Sequence, residues 1–426
     1  MSYGLLGRLV VVFRISFKLL SFLESLQMSK SLVLVLNCGS SSIKFAVIEP
    51  QTGTNFISGL VQNIGAPEAN IKYKSGGSKE AETRALPDIS YHAALQVIVD
   101  IINASGDIAN DVFAVGHRVV HGGEKFTESA IITEEILRAI SENSYLAPLH
   151  NPANITGIEE AIKAFPDLPQ VAVFDTAFHQ TMPDHAYIYP IPYEFYTEHR
   201  VRRYGFHGTS HRFVCNQAAK LLGKPLNQSA FITAHLGNGC SATAVLNGKS
   251  IDTSMGLTPL EGLMMGTRSG DVDPGLHAYL ADNLGYDIHK INDVLNKKSG
   301  LLGVSGIASD MREIEKQVMA GNPGAMLAFE IFCYRLAKYI AALAVPLRRI
   351  DALVFTGGIG ENSQMVRAKT LAWLKVFNFK LDVDRNEIHG KKSNGIITTE
   401  ESPVAIVVPT NEEWLIAEDT AALTQK

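Results

Sequence analysis

Short apolar runs rich in Val, Ile and Phe alternate along the chain with longer stretches whose apolar positions recur at helical spacing. A continuous apolar run of a few residues suits a strand buried on both faces, and a period of 3.6 suits a helix lying on a sheet, so the alternation predicts α/β architecture with substantial parallel sheet. One such helix is expected over 324–343, with Leu327, Ile331, Leu336 and Ile340 near helical spacing and Pro346 just beyond its end. Six apolar strands each deliver polar or glycine residues at the carboxyl end. The run 32–36 leads to Asn37, 112–115 to Gly116, His117 and Arg118, and 171–174 to Asp175. Likewise 231–234 leads to His235, 353–355 to Thr356, Gly357 and Gly358, and 404–408 to Asn411 and Glu412. Open α/β sheets place their ligands outside the carboxyl ends of the strands. Polar loops alone do not account for Arg, Asp, His and Glu all gathering at those positions.

The segments 32–47 and 231–245 share a plan of strand, Gly/Ser/Asn turn, strand; aligning Asn37 with His235 brings Gly39 over Gly237 and Ala46 over Ala244. Each copy is followed by an apolar strand ending in glycines, VVHGG at 119–123 and TGGIG at 356–360. This favours duplication over chance similarity between two hairpins. A Gly- and Ser-rich turn exposes backbone N–H groups that can cradle phosphate without a helix, so two halves clamping a nucleotide in a cleft are expected. Three familiar motifs fail. Gly248-Lys249-Ser250 lacks the first glycine of a Walker A loop, which falls on Thr243, and Asn247-Gly248 reads as a type I′ hairpin turn. Gly358-Ile359-Gly360 has Ser363 where the dinucleotide fingerprint needs glycine. His207 and His211 lie one helical turn apart but lack the Glu and the third ligand of a zinc site.

Composition narrows the function classes. Lys+Arg number 38 and Asp+Glu 43, a net charge of −5, and no basic run appears, which excludes a nucleic-acid binder. An apolar fraction of 46% excludes intrinsic disorder as the main state, and the length suggests two or three domains. Cys38, Cys215, Cys240 and Cys333 have neither disulfide-framework nor zinc-knuckle spacing and are expected as free thiols in a reducing cytoplasm. Residues 1–27 are apolar but cut by Arg8, Arg14 and Lys18, so no uncharged stretch approaches the ~18 residues of a membrane span. The longest clean run, 9–13, is too short for a signal peptide, and Met28 stands directly before the first strand. Residues 1–27 therefore read as a non-catalytic extension or an upstream start-codon choice, with weak membrane-surface attachment as the alternative.

Phosphoryl transfer asks for positioning and charge neutralisation by Mg²⁺ and by Arg or Lys. Lys44, Arg118 and Arg268 are the candidates; Arg118 and Arg268 stand among apolar and small residues and are expected to be buried beside an anion, whereas Arg202 and Arg203 read as solvated surface charges. A sugar hydroxyl acceptor needs a base to lose its proton, while a carboxylate of pKa ~4 is already ionised and needs cations to approach a phosphate. Two Arg and one Asp fit the carboxylate better without excluding the sugar.

Nine segments carry a family resemblance: NCGSSSIKF (37–45), VGHRVVHGG (115–123), FDTAFHQTMP (174–183), YGFHGTSHRFV (204–214), AHLGNGCSATAV (234–245), GLMMGTRSGDVDPG (262–275), ASDMRE (308–313), FTGGIGENS (355–363) and PTNEE (409–413). Their order resembles that of the acetate kinase family from about Met28 to the C terminus. The resemblance implies a duplicated actin-like ATPase fold, ribonuclease H-like with two βββαβαβα halves around a nucleotide cleft. The corresponding domains would be 28–177 plus 413–426 and 178–412. It further implies a cytoplasmic homodimer and the reversible reaction of ATP with acetate to give ADP and acetyl phosphate, feeding acetyl-CoA synthesis or ATP formation.

Position by position, Asn37 and Glu412 resemble the family's ligands for Mg²⁺, which Mn²⁺ can replace. Lys44 resembles a nucleotide-phosphate contact, Arg118 the partner of the substrate carboxylate, and Asp175 the catalytic proton donor or acceptor. The ionised acceptor makes Asp175 a positioning group rather than an obligatory base. His207 and Arg268 resemble the transition-state stabilisers. The ATP-binding segments would be His235, Leu236, Gly237, Asn238 and Gly239; Asp310, Met311 and Arg312; and Gly358, Ile359, Gly360, Glu361 and Asn362. His150 either faces the site or is structural. Val120, Leu149, Phe206 and Pro259 match the family's methyl pocket, and Val at 120 favours acetate over propionate or butyrate. Cys240 replaces a common Ser and Val272 a common Ile, neither removing a charge or a ligand. The rivals are a short-chain acyl kinase, a non-enzymatic actin- or chaperone-type ATP-binding module and, through 1–27, a membrane-attached regulator.

Overall fold

The computed structural model describes residues 30–75, 78, 80–148 and 150–425. The expectations for residues 1–27 and for Leu149 lie outside these. Strands β1 (Leu32–Cys38) and β2 (Ile43–Ile48) form an antiparallel hairpin with Asn37 opposite Lys44. The meander continues through β3 (Asn55–Gln62), β4 (Asn70–Ser75) and β5 (Glu82–Ala85). On the other side of β1 lie β6 (Val112–Val119), parallel to it, then β8 (Gln170–Phe174), with β7 (Ala130–Ile131) at the edge; the order is β5-β4-β3-β2-β1-β6-β8-β7. A second sheet comprises β9 (Ala230–Leu236), β10 (Cys240–Leu246), β11 (Lys249–Thr253), β12 (Ala352–Thr356) and β13 (Ala405–Val407), ordered β11-β10-β9-β12-β13. That order repeats β3-β2-β1-β6-β8, with the same antiparallel hairpins and parallel additions. The repeat seen in the two hairpins thus extends to five strands in each half.

The unbroken apolar run in β1 follows from its two covered faces. Leu32, Leu34 and Leu36 pack beneath the helix Tyr91–Asn103, while Val33 and Val35 pack against Ile416, Ala417 and Ala421 of the C-terminal helix Glu412–Thr424. The chain therefore finishes on the sheet where it began. In the second half, the helices Pro323–Leu347 and Gly208–Leu221 cover opposite faces of the five-stranded sheet. The turn Asn247-Gly248 has φ of 54° and 78°, as a type I′ hairpin requires. All four cysteines are free and buried. Among the described residues, no helix is long and apolar enough to cross a membrane.

Three expectations need correction. Asn37, His117, Arg118, His235 and Thr356 lie inside strands rather than beyond them, because the ladders continue through Leu36↔His117, Arg118↔Val173 and Thr356↔His235. The predicted helix 324–343 spans Pro323–Leu347 and contains Pro346 in its last turn, where burial of Leu343 and Leu347 holds the turn to the core. Arg202 and Arg203 are not solvated. Arg202 is 4% exposed, lies 3.6 Å over the Tyr187 ring and pairs with Glu124 at 2.8 Å. Arg203 donates through Nη1 to the carbonyls of Thr253, Ser254 and Met255 and through Nη2 to Glu261 at 2.6 Å. Acidic and carbonyl partners from distant segments supply what the local sequence does not display.

Gly116 in β6 allows the C-terminal helix to approach: a Cβ there would lie 2.4 Å from Thr420 Oγ1 and 2.7 Å from Ile416 Cγ2. Gly116→Ala should destabilise the protein by about 1–3 kcal/mol through overpacking, read as a lowered urea midpoint; an unchanged midpoint would contradict this packing.

Candidate active site

Because β1, β6 and β8 are adjacent and parallel or share a register, Asn37, Arg118 and Asp175 converge at one end of the first sheet. Arg118 Nε donates to the two Asp175 oxygens at 3.0 and 3.1 Å, and Nη2 donates to Oδ2 at 2.5 Å. Nη1 donates to Asn37 Oδ1 at 3.3 Å. Asp175 thus grips the side edge of the guanidinium and leaves its outer edge, formed by Nη1 and Nη2, turned away from the carboxylate. Burial opposes the Arg118 charge, but the carboxylates of Asp175 and Glu412 outweigh it and raise its pKa. Burial also raises the pKa of Glu412, against the lowering effect of Arg118.

The two halves meet at Asp175. Its carbonyl accepts the Gly208 N–H at 2.9 Å, and a Cβ on Gly208 would lie 2.3 Å from that oxygen, so only glycine admits the approach. The next residue, Thr209, sets its hydroxyl 3.4 Å from Asp175 Oδ1 and 3.2 Å from Glu412 Oε2. Glu412 opens the C-terminal helix, whose cap Asn411 accepts from Trp414 N–H. Asp175 and Glu412 therefore present hard oxygen donors to one hydroxyl, and Asn37 adds its Oδ1 from the other side of Arg118's contacts, where it accepts from Nη1. Among the described residues no group of three or more His, Cys, Asp or Glu forms a ready-made metal cage. Lys44 pairs with Glu413 on the same helix and is half exposed.

Across the cleft, His207 precedes the helix Gly208–Leu221 with φ of 56°, a conformation uncommon outside glycine that frequently marks function. Its ring stacks on that of His235 at 4.3 Å. Burial, then the neighbouring imidazoles and arginines, holds His207 well below the ordinary histidine range, and burial brings His235 down to about 4. Arg268 reaches the same place: a Cβ on Gly239 would lie 3.4 Å from its Nη1 and 3.6 Å from the His207 ring. Nη1 donates to the Pro259 carbonyl at 3.3 Å, and among the described residues Arg268 has no carboxylate partner. Burial lowers its pKa, as expected for a cation whose counter-ion is not supplied by the chain. Burial, then the charges of Arg118 and Arg268, lower the pKa of His150.

Val120, two residues after Arg118, is buried in one apolar cluster with Ala147 and Phe206, which draws on both halves. Asn154 holds it in place, accepting from Val120 N–H at 3.0 Å and donating to the Cys38 carbonyl at 2.6 Å. Next to the histidines opens a cavity of ≈ 800 Å³ lined by Gly237, Asn238, Ser309, Asp310, Met311, Arg312, Glu315, Gly358, Ile359, Asn362 and Ser363. That size suits a nucleotide. Eight of the residues read as ATP-binding line it. Leu236 is instead wholly buried, Gly360 is on the buried side of the helix Gly357–Asn362, and Glu361 turns back to accept from Gly357 and Thr410 N–H. Nothing in the local sequence marks Thr209, Ser241 or Asn154 as site residues. Thr209 and Ser241 lie within motifs, but only the fold reveals their partners.

The Acetokinase family matches residues 32–418. The acetate kinase of Shewanella sp. (strain ANA-3) is 57% identical over 400 residues, covering 94% of this chain and all of that one. A propionate kinase from Francisella tularensis subsp. tularensis SCHU S4 superposes with a TM-score of 0.87 at 46% identity, over 92% of this chain and 99% of that chain. An acetate kinase from Porphyromonas gingivalis superposes with a TM-score of 0.86 at 44% identity, over the same shares.

The buried neutral imidazoles predict acid sensitivity. His117, His179 and His235 are each lowered to about 4 by burial, so between their unfolded value near ~6.5 and 4 the unfolded chain binds more protons than the folded one. Stability should be fully present above pH ~6.5 and fall as pH drops toward 4. Urea midpoints that stay level from pH 7 to pH 5 would contradict this.

Proposed function

The chain belongs to the Acetokinase family, and we propose that it is an acetate kinase, reversibly transferring the γ-phosphoryl group of ATP to acetate to form acetyl phosphate and ADP. The observation that carries the reading is the pair of arginines: Arg118, oriented by Asp175 with its outer edge directed away from it, and Arg268, buried without a carboxylate partner among the described residues. A carboxylate substrate lies on the outer edge of Arg118 with its methyl group against Val120, Phe206 and Pro259. Acetate is already ionised at neutral pH, so no proton has to be removed. Asp175 keeps Arg118 in place, and Arg268 with His207 meets the negative charge on the transferring phosphoryl oxygens. The acetate oxygen attacks in line as the bond to ADP breaks, and the ADP oxygen leaves as an anion.

ATP occupies the cavity beneath Gly358 and Asn238, with its phosphates directed at the hairpin 235–239. Asn37 and Glu412 would hold Mg²⁺ or Mn²⁺. Their oxygen chemistry fits, since Mg²⁺ keeps several waters and takes one or two carboxylates together with substrate phosphates. The bound cation would neutralise phosphate charge there and offset the cost of the buried Glu412 carboxylate. The domain division at 28–177 plus 413–426 and 178–412 is supported by the return of the helix Glu412–Thr424 to the first sheet. A cytoplasmic homodimer completes the reading. Propionate is the rival acceptor, in keeping with the name of the Francisella relative; buried Val120 narrows the wall against it.

Arg268→Ala should lower kcat by about 10²–10³-fold, as removal of a transition-state donor does. Near-normal turnover would refute the role. In a hydroxamate assay, kcat/KM for acetate should exceed that for propionate by about tenfold or more, because a methylene is worth ~1–3 kcal/mol in an apolar pocket. The reverse order would make the protein a propionate kinase, and ATP binding without any acyl phosphate would refute both.

A further inference from the structure

The segment 120–123 leaves β6 where its ladder to β8 ends, at Val119↔Phe174, and it stays buried. A buried backbone N–H without a sheet partner must find another acceptor. Here each of four successive amides finds a side chain. Val120 N–H donates to Asn154 Oδ1 at 3.0 Å, and His121 N–H donates to Asn151 Oδ1 at 3.1 Å. Gly122 N–H donates to Thr176 Oγ1 at 3.1 Å, and Gly123 N–H donates to His121 Nδ1 at 3.0 Å.

Two of these acceptors come from one helix face. Asn151 and Asn154 stand three residues apart at the start of the helix Asn151–Ala164, which sets them side by side, and both are buried. An asparagine amide offers an acceptor and a donor together, and each of the two uses both. Asn151 Nδ2 donates to the His121 carbonyl at 2.9 Å, so one side chain pairs with both main-chain polar groups of His121, as a neighbouring strand would. Asn154 Nδ2 donates to the Cys38 carbonyl at 2.6 Å, which ties the segment to the end of β1 beside Asn37.

The backbone held in this way carries one residue of the apolar wall and backs another. Val120 packs in the cluster that contains Phe206, and the His121 ring meets the Phe206 ring edge-on, with centroids 5.8 Å apart and planes at 71°. Burial, then the charge of Arg202, brings the His121 pKa down to about 3, so this ring is uncharged. We propose that Asn151 and Asn154 are specificity-determining positioning residues: by fixing the backbone at Val120 and His121 they set the width of the apolar wall against the acyl chain, and with it the preference among short carboxylic acids. The proposal rests on the acetate kinase reading for Val120 and Phe206 as that wall. Both asparagines act through main-chain groups, so their loss loosens the wall without removing any of its side chains. A wall that distinguishes one methylene is sensitive to shifts of a fraction of an ångström.

The test compares kcat/KM for acetate and propionate in the wild type, Asn151→Ala and Asn154→Ala, by the hydroxamate assay at saturating ATP. Each variant should raise KM for acetate and lower the acetate-to-propionate ratio by about threefold or more, with KM for ATP within about twofold of the wild type. A smaller shift of the ratio in a folded Asn154→Ala protein would overturn the proposal. Ile98→Val, a change in the separate core beneath the helix Tyr91–Asn103, should weaken the fold and leave the ratio unchanged. An equal shift there would also overturn the proposal, because lost stability alone would then account for it. Should neither alanine variant fold, hydrogen–deuterium exchange of the wild type decides. The amides of 120–123 are expected among the slowest, and exchange as fast as that of an exposed loop would overturn the positioning. Absence of acyl phosphate in the wild type would refute the acetate kinase reading and the acyl preference with it, while slow exchange at 120–123 would leave the positioning standing.

Discussion

A largely buried guanidinium held by a buried carboxylate organises this molecule. Arg118 and Asp175 stand at the ends of adjacent parallel strands, and each makes the other tolerable away from water. Removing one partner of such a pair typically costs ~3–5 kcal/mol, since the remaining charge is left uncompensated. The same pair reaches outward in three directions. Asn37 joins it from β1, Thr209 and Gly208 join it from the helix Gly208–Leu221 of the second half, and Glu412 joins it from the helix that closes the chain. The positions of the proposed acceptor site, the metal-ligand candidates and the junction between halves are therefore coupled.

The electrostatics of the cleft follow from this coupling. Overall negative charge gives no hint of an anion-binding centre, and two of the three cations expected there are already neutralised, Arg118 by Asp175 and Lys44 by Glu413. Arg268 alone of the three lacks a carboxylate partner among the described residues. In the proposed reaction, the charge needed to bring a carboxylate onto a phosphate comes from Arg268, from the outer edge of Arg118 and from the cation that Asn37 and Glu412 would hold. Keeping His207 and His235 neutral limits repulsion among these positive groups and leaves directed hydrogen bonds in place of diffuse charge.

Duplication explains how one plan serves two tasks. Both halves place a hairpin beside parallel strands, yet the first ends its strands on Asn37, Arg118 and Asp175 while the second ends them on His235 and the glycines after Thr356. In the proposed reading, the first end binds the acceptor and the second the nucleotide, a division that neither sheet could supply alone.

Much of this was legible in the chain. Strand runs buried on both faces, the type I′ turn at Asn247-Gly248, the repeated hairpin and nine ordered motifs are local patterns, and local patterns survive without knowledge of neighbours. The resemblance located Arg118, Asp175, His207 and Arg268 because motif identity carries position. What no local pattern carries is who faces whom. Arg202 and Arg203 looked solvated because Tyr187, Glu124, Glu261 and the carbonyls of 253–255 approach only after folding. The pairing of Lys44 with Glu413, more than three hundred residues away, is likewise invisible in the local sequence. Thr209 and Ser241 are ordinary hydroxyls in sequence, and Thr233 is one β-branched residue in a strand. Their partners come within hydrogen-bond distance only in the folded chain, because they lie on elements far apart in sequence.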